Sequence, residues 1–98
     1  MTKSEAVARL RANEAYLRAM GLAHLSIFGS TARGEEGSDS DIDLAAMLNE
    51  DFRVGAFQFL RIEEDVARLL GRRVDLVTEP SDAIHIQAQI DRDRVRVF

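Results

Sequence analysis

A chain of 98 residues is sized for one domain, 1–98, with a modest core, and 46% hydrophobic with 31% charged residues describes a globular rather than a disordered polymer. The net charge of −4 argues against direct DNA binding, which relies on clustered Lys and Arg to displace counterions. The absence of cysteine excludes a disulfide framework and a thiolate metal site, and with no apolar run near the ~20 residues of a membrane span and no signal-peptide pattern the expected location is the cytoplasm.

Thr2-Lys3-Ser4-Glu5 reads as a capping box, and Val7, Leu10, Leu17 and Met20 recur with Arg9, Arg11, Glu14 and Arg18 between them. The pattern predicts one helix of about four or five turns, closed by Gly21 in the C′ position and packed as scaffold on a sheet. His24 then opens a short strand, Leu25-Ser26-Ile27-Phe28, and is expected to be structural.

That strand runs into Gly29-Ser30, followed by Thr31-Ala32-Arg33 as a first helical turn. Backbone N–H groups at a helix start, with no Cβ at Gly29 to block approach, form an anion site, to which Ser30 adds a hydroxyl and Arg33 a charge. Glu35-Glu36-Gly37-Ser38-Asp39 is a polar loop whose acids are expected to be solvated. Beyond it, Ile42, Leu44, Ala46 and Leu48 supply the apolar face of a strand, so Asp41 and Asp43, two residues apart, share the other face. Unit charges about 4 Å apart at an effective dielectric of about 20 repel by about 4 kcal/mol, so such a pair calls for a cation or a shared proton. Oxygen-only ligands favour a hard ion, Mg²⁺ or Mn²⁺. Phosphate donors on one side and metal-binding carboxylates on the other are the equipment of phosphoryl or nucleotidyl transfer.

A loop over 49–53 leads to a second helix over 54–70, with Phe59, Ile62, Val66 and Leu69 on one face and Gly71 as its stop. Phe57 and Phe59 are expected in the core or against a partner rather than as a base-stacking platform. Arg73-Val74-Asp75-Leu76-Val77-Thr78 is a compact strand in which Asp75 faces away from Val74 and Leu76. A charge inside an apolar strand needs a partner, and either a metal or Arg72 or Arg73 serves. Residues 83–90 alternate with the strand period, yet Ala83, Ile86 and Ile90 also form a helical stripe, with His85 on its outside. Arg94-Val95-Arg96-Val97-Phe98 closes as a short edge strand.

Gly29-Ser30, Ala32-Arg33-Gly34 and Ser40-Asp41-Ile42-Asp43-Leu44 together resemble the signature of the polymerase-β-type nucleotidyltransferases, in which a Gly-Ser pair precedes an Asp-x-Asp strand. Chain length narrows the resemblance to the minimal nucleotidyltransferases (MNT), commonly the antitoxin halves of pairs with a HEPN-domain toxin. The resemblance implies an α/β (α+β) fold, a small mixed sheet with the helices covering one face, and a helix over 83–90. It implies a triad of metal ligands, Asp41, Asp43 and Asp75, holding two Mg²⁺ ions, with Asp75 accepting the proton of the attacking hydroxyl. Gly29, Ser30, Arg33 and Ser40 are the implied nucleotide-binding residues, and ATP is the implied substrate. Larger relatives carry extra domains to hold their acceptors, so the acceptor expected here is a protein, a HEPN toxin silenced when a hydroxyl, typically of tyrosine, receives AMP. Neutralisation by binding alone and transfer to a small molecule of the aminoglycoside kind are the two alternatives.

Overall fold

The computed structural model describes residues 1–35 and 41–98. Its sheet has four strands, β1 (Leu22–Phe28), β2 (Ile42–Leu48), β3 (Val74–Thr78) and β4 (Val95–Arg96), in the order β3-β2-β1-β4. β1 is antiparallel to both β2 and β4, whereas β2 and β3 run parallel. The parallel pair needs a crossover, and α4 (Ala56–Leu70) provides it. The sheet is thus mixed, as the sequence implied.

The capping box forms as read: Glu5 N–H donates to Thr2 Oγ1 (3.2 Å) and Thr2 N–H to Glu5 Oε1 (3.3 Å). The single N-terminal helix does not. It is divided into α1 (Lys3–Ala12) and α2 (Glu14–Ala19) at Asn13, whose side-chain amide donates to the carbonyl of Arg9 at 2.9 Å. Asparagine offers the backbone a local partner that competes with the helical ladder, and Asn13 leaves the helical region at φ −114°, ψ 19°. The hydroxyl of Tyr16 on α2 reaches Asp65 on α4 at 2.7 Å. α4 itself ends where Gly71 adopts the left-handed conformation, φ 65°.

Period-2 alternation sorts the strand side chains onto two faces. On the first, Leu25, Ile27, Ile42, Leu44, Ala46 and Leu76 meet Leu10 and Leu17 of the N-terminal helices and Ile62, Val66 and Leu70 of α4, forming the main core. Each leucine, isoleucine and valine among them contributes about 1.5–3 kcal/mol by burial. Phe59 and Leu69 pack against this core, whereas Phe57 is 86% exposed on the far side of α4.

The second face is covered as well, and this corrects the expectation of helices on one face only. Residues 84–93 form α5 (Ile84–Asp93), whose Ile90 and Ile86 pack on Phe28, Ala45 and Val77. Ile86 and Ile90, four residues apart, share a face under either periodicity, and in the helix they fill the apolar strip left open on that side of the sheet. α3 (Gly29–Ala32) lies at one end of the same face, and contacts both β2 and α5. No helix among the described residues is long and apolar enough to cross a membrane.

Candidate active site

Asp41 precedes β2 and Asp43 is its second residue. Because Ile42 and Leu44 are committed to the main core, Asp43 is turned to the opposite face together with Ala45. The register then sets its neighbours: Asp43 is paired with Phe28 on β1 and with Asp75 on β3. Neighbouring strands lie about 4.8 Å apart, so two carboxylates stand side by side at one end of the sheet. The N–H of Ile42 donates to the carbonyl of Arg73 at 3.0 Å, which fixes Asp41 beside the start of β3. Asp75 is exposed. Its place follows from strand register rather than from the buried setting that the apolar strand suggested.

Antiparallel pairing brings the end of β1 to the start of β2, and with it the turn that follows Phe28. Gly29 has φ 74°, and a Cβ built on it would lie 2.3 Å from Asp43 Oδ2 and 3.2 Å from its Cγ. Both the backbone conformation and the close approach demand glycine. The helical turn of α3 includes Gly29 and Ser30 themselves rather than starting after them. Ser30 is half-buried, and its carbonyl accepts from Glu35 N–H at 2.8 Å, which closes the turn.

Burial pushes the Asp43 carboxyl above its ordinary range, and the negative charges of Asp75 and then Asp41 push it further, against the pull of Arg33. Both neighbouring aspartates thus act on Asp43. Asp41 also pairs with Arg73, Nε to Oδ1 3.2 Å, with both side chains exposed to solvent, where such a pair contributes little. Among the described residues no three acidic or imidazole groups already stand close enough together to enclose an ion. The crowding nonetheless fits a hard divalent cation. The donors are all carboxylate oxygens at one end of one face, Gly29 leaves space against Asp43, and a cation would relieve the repulsion.

Arg33 lies beyond α3 and is engaged. Its Nη1 donates to Asp93 Oδ2 at 2.6 Å and its Nε to Glu35 Oε2 at 3.0 Å. Arg92 donates to the same Asp93 at 2.9 and 3.0 Å, and these arginines, Arg92 first, hold that carboxyl down at about 2. Ser40 lies outside the described residues, as do the loop acids Glu36 and Asp39. Sequence reasoning did not find Asp93 as the partner of Arg33, since the pair is 60 positions apart and carries no local signal. It did weigh Arg73, but as a partner of Asp75 rather than of Asp41. His24 is half-buried in β1 and His85 is exposed on α5. A cavity of about 250 Å³ lined by Asn13, Tyr16, Asp65, Arg68 and Leu69 belongs to the helical layer on the other face, away from the carboxylates.

The sequence profile of the nucleotidyltransferase domain family matches residues 11–96. A curated relative from Thermococcus cleftensis, named protein adenylyltransferase MntA, is 35% identical over 98 residues, which covers 99% of this chain and 97% of the relative. A solved structure provisionally described as a minimal nucleotidyltransferase is similar with a TM-score of 0.78 at 32% identity, covering 97% of this chain and 95% of that chain. A chain from a solved complex of a tri-AMPylated HEPN toxin of Shewanella oneidensis with an MNT antitoxin shares the fold, with a TM-score of 0.64 at 20% identity over 90% of this chain and 68% of that one.

Proposed function

Because the chain belongs to the nucleotidyltransferase domain family, we propose that it is a Mg²⁺-dependent protein adenylyltransferase that moves AMP from ATP to a hydroxyl of a HEPN-domain toxin and so acts as its antitoxin. The observation that carries this reading is the register of Asp43 with Asp75, with Asp41 two residues upstream and the Gly29 turn against Asp43. The name of the Thermococcus relative supports a protein acceptor, and the Shewanella complex supports a HEPN partner.

Asp41, Asp43 and Asp75 would hold Mg²⁺, which supplies positive charge against the triphosphate and lowers the pKa of the acceptor hydroxyl. The turn at Gly29 and Ser30 presents backbone N–H groups to the β and γ phosphates, and Arg33 adds a guanidinium. Ser40, the residue before Asp41, completes the nucleotide-binding set. The acceptor oxygen forms a bond to the α-phosphorus as the bond to the bridging oxygen breaks and pyrophosphate leaves. Asp75, exposed on the outer strand, takes the hydroxyl proton.

The test is transfer of label from α-labelled ATP, with Mg²⁺, to the genetically adjacent or co-purifying protein, run beside Asp43→Asn. Label on the partner that disappears in the variant is expected. A partner that is bound and inhibited without label makes masking the function, and label on an aminoglycoside instead makes the acceptor a small molecule.

A further inference from the structure

We propose that Asp93 is a positioning residue that holds the Arg33 guanidinium beside the carboxylate site, so that the cation facing the triphosphate is set by the end of α5. This rests on the nucleotidyltransferase reading above.

Arg33 follows a helix of only four residues, and its side chain is 38% exposed. Among the described residues Arg33 has two carboxylate partners, of which Glu35 is well exposed and only two residues away. Asp93 differs in both respects. Its side chain is 4% exposed, and it accepts from Arg33 at 2.6 Å across 60 residues of sequence. An ion pair with one member out of solvent holds geometry that an exposed pair does not.

Asp93 is itself clamped. It is the last residue of α5, where the helix dipole disfavours a negative charge, so helix formation alone does not account for an aspartate there. Upstream, Ile90 and Ile86 seat α5 on the sheet. Downstream, Arg94 is tied by its N–H to the carbonyl of Ile90 (2.9 Å) and by its guanidinium to Glu79 Oε2 (2.8 Å) and Ser26 Oγ (3.1 Å). The carboxylate is thus carried on a rigid element and aimed at α3. Among the described residues, the bonds to Asp93 and Glu35 use two of the five N–H donors of Arg33, so capacity remains for phosphate oxygens. The charge of Arg33 already reaches Asp43, whose carboxyl it draws down.

The experiment measures binding of ATP with Mg²⁺ to the intact protein by titration, for wild type, Asp93→Asn, Asp93→Glu, Arg33→Met and the double variant, with thermal unfolding of each. Asp93→Asn is expected to weaken binding about 5- to 10-fold, the scale of the net contribution of one ordinary hydrogen bond because the effect is relayed through Arg33, and Asp93→Glu to recover most of it. The double variant is expected to bind no more weakly than Arg33→Met alone, since Asp93 acts through Arg33. A double variant weaker than Arg33→Met by the whole Asp93 factor would overturn the proposal in favour of a purely structural staple. Wild-type binding in Arg33→Met would overturn it even if Asp93→Asn did not fold. If wild type itself binds no ATP, the proposed function fails and this inference with it, whereas equal binding by wild type and Asp93→Asn removes only the inference.

Discussion

Asp43 Oδ2 lies 2.3 Å from the point where a Cβ on Gly29 would stand, so the Gly29 turn and the carboxylate strand are in direct contact. Gly29→Ala must either push Asp43 aside or move the turn, and it must hold alanine at φ 74°. The backbone alone costs about 1–2 kcal/mol. Transfer should fall at least about 100-fold, the effect of misplacing a reacting group by about an ångström. Thermal unfolding and α-label transfer check both. Native transfer in Gly29→Ala would mean that Asp43 does not need its present position.

Asp43→Asn should separate stability from activity. It removes a carboxylate disfavoured by burial and by Asp75 and Asp41, so the metal-free variant should unfold at a temperature higher by a few degrees, about 0.5–1 kcal/mol. Transfer should be lost. Added Mg²⁺ should raise the unfolding temperature of wild type and leave the variant unmoved, because only a site that binds the ion gains stability from it. Equal stabilisation of both proteins would place the ion elsewhere.

The same carboxyl sets a pH dependence. Its folded-state pKa is raised above the ordinary 3.8, so its contribution to metal-free stability is present below 3.8 and is lost as pH rises through the raised value. Transfer, which needs the ionised form, should rise over that same interval. Unfolding temperature against pH for wild type and Asp43→Asn should therefore diverge upward from 3.8, with wild type the less stable. Parallel curves would show that Asp43 is not crowded by its neighbours.

Glu79 and Arg94 give the opposite sign. Hydrogen bonds from Arg94 are the main cause that holds the Glu79 carboxyl below its ordinary 4.5, so this stabilisation is present above 4.5 and is lost as pH falls through the lowered value. Glu79→Gln should cost about 2 kcal/mol, less than a fully buried pair, because Arg94 is 29% exposed although the Glu79 side chain is only 4% exposed. Denaturant unfolding at neutral pH measures it, and a loss under about 0.5 kcal/mol would put the pair among ordinary surface contacts.

What was legible in the sequence was local. Ile42, Leu44 and Ala46 had to face a core, and that commitment alone turned Asp43 to the other side. Gly29 preceded the strand by few enough residues to be read with it. Asp75 was found by a different argument from the one the structure supports: its charge is not buried, and it matters because β3 is in register with β2. The break at Asn13 depends on one side-chain bond to Arg9 that helical periodicity does not register. The second-face position of α5, and with it the meeting of Asp93 and Arg33, depends on which side of the sheet a connection takes, and no stretch of sequence near either residue encodes that.

The outer strand β3 carries a further consequence. The N–H of Leu76 points away from β2 and is taken by Glu63 Oε2 of α4 at 3.1 Å. A neighbouring chain adding itself there as a fifth strand would have to evict that carboxylate, so α4 serves as a cover for the sheet margin as well as a crossover. Asp75 sits on this guarded margin. On the proposed function, an acceptor would reach the carboxylates more readily with a loop or helix end than by laying an extended segment along this strand.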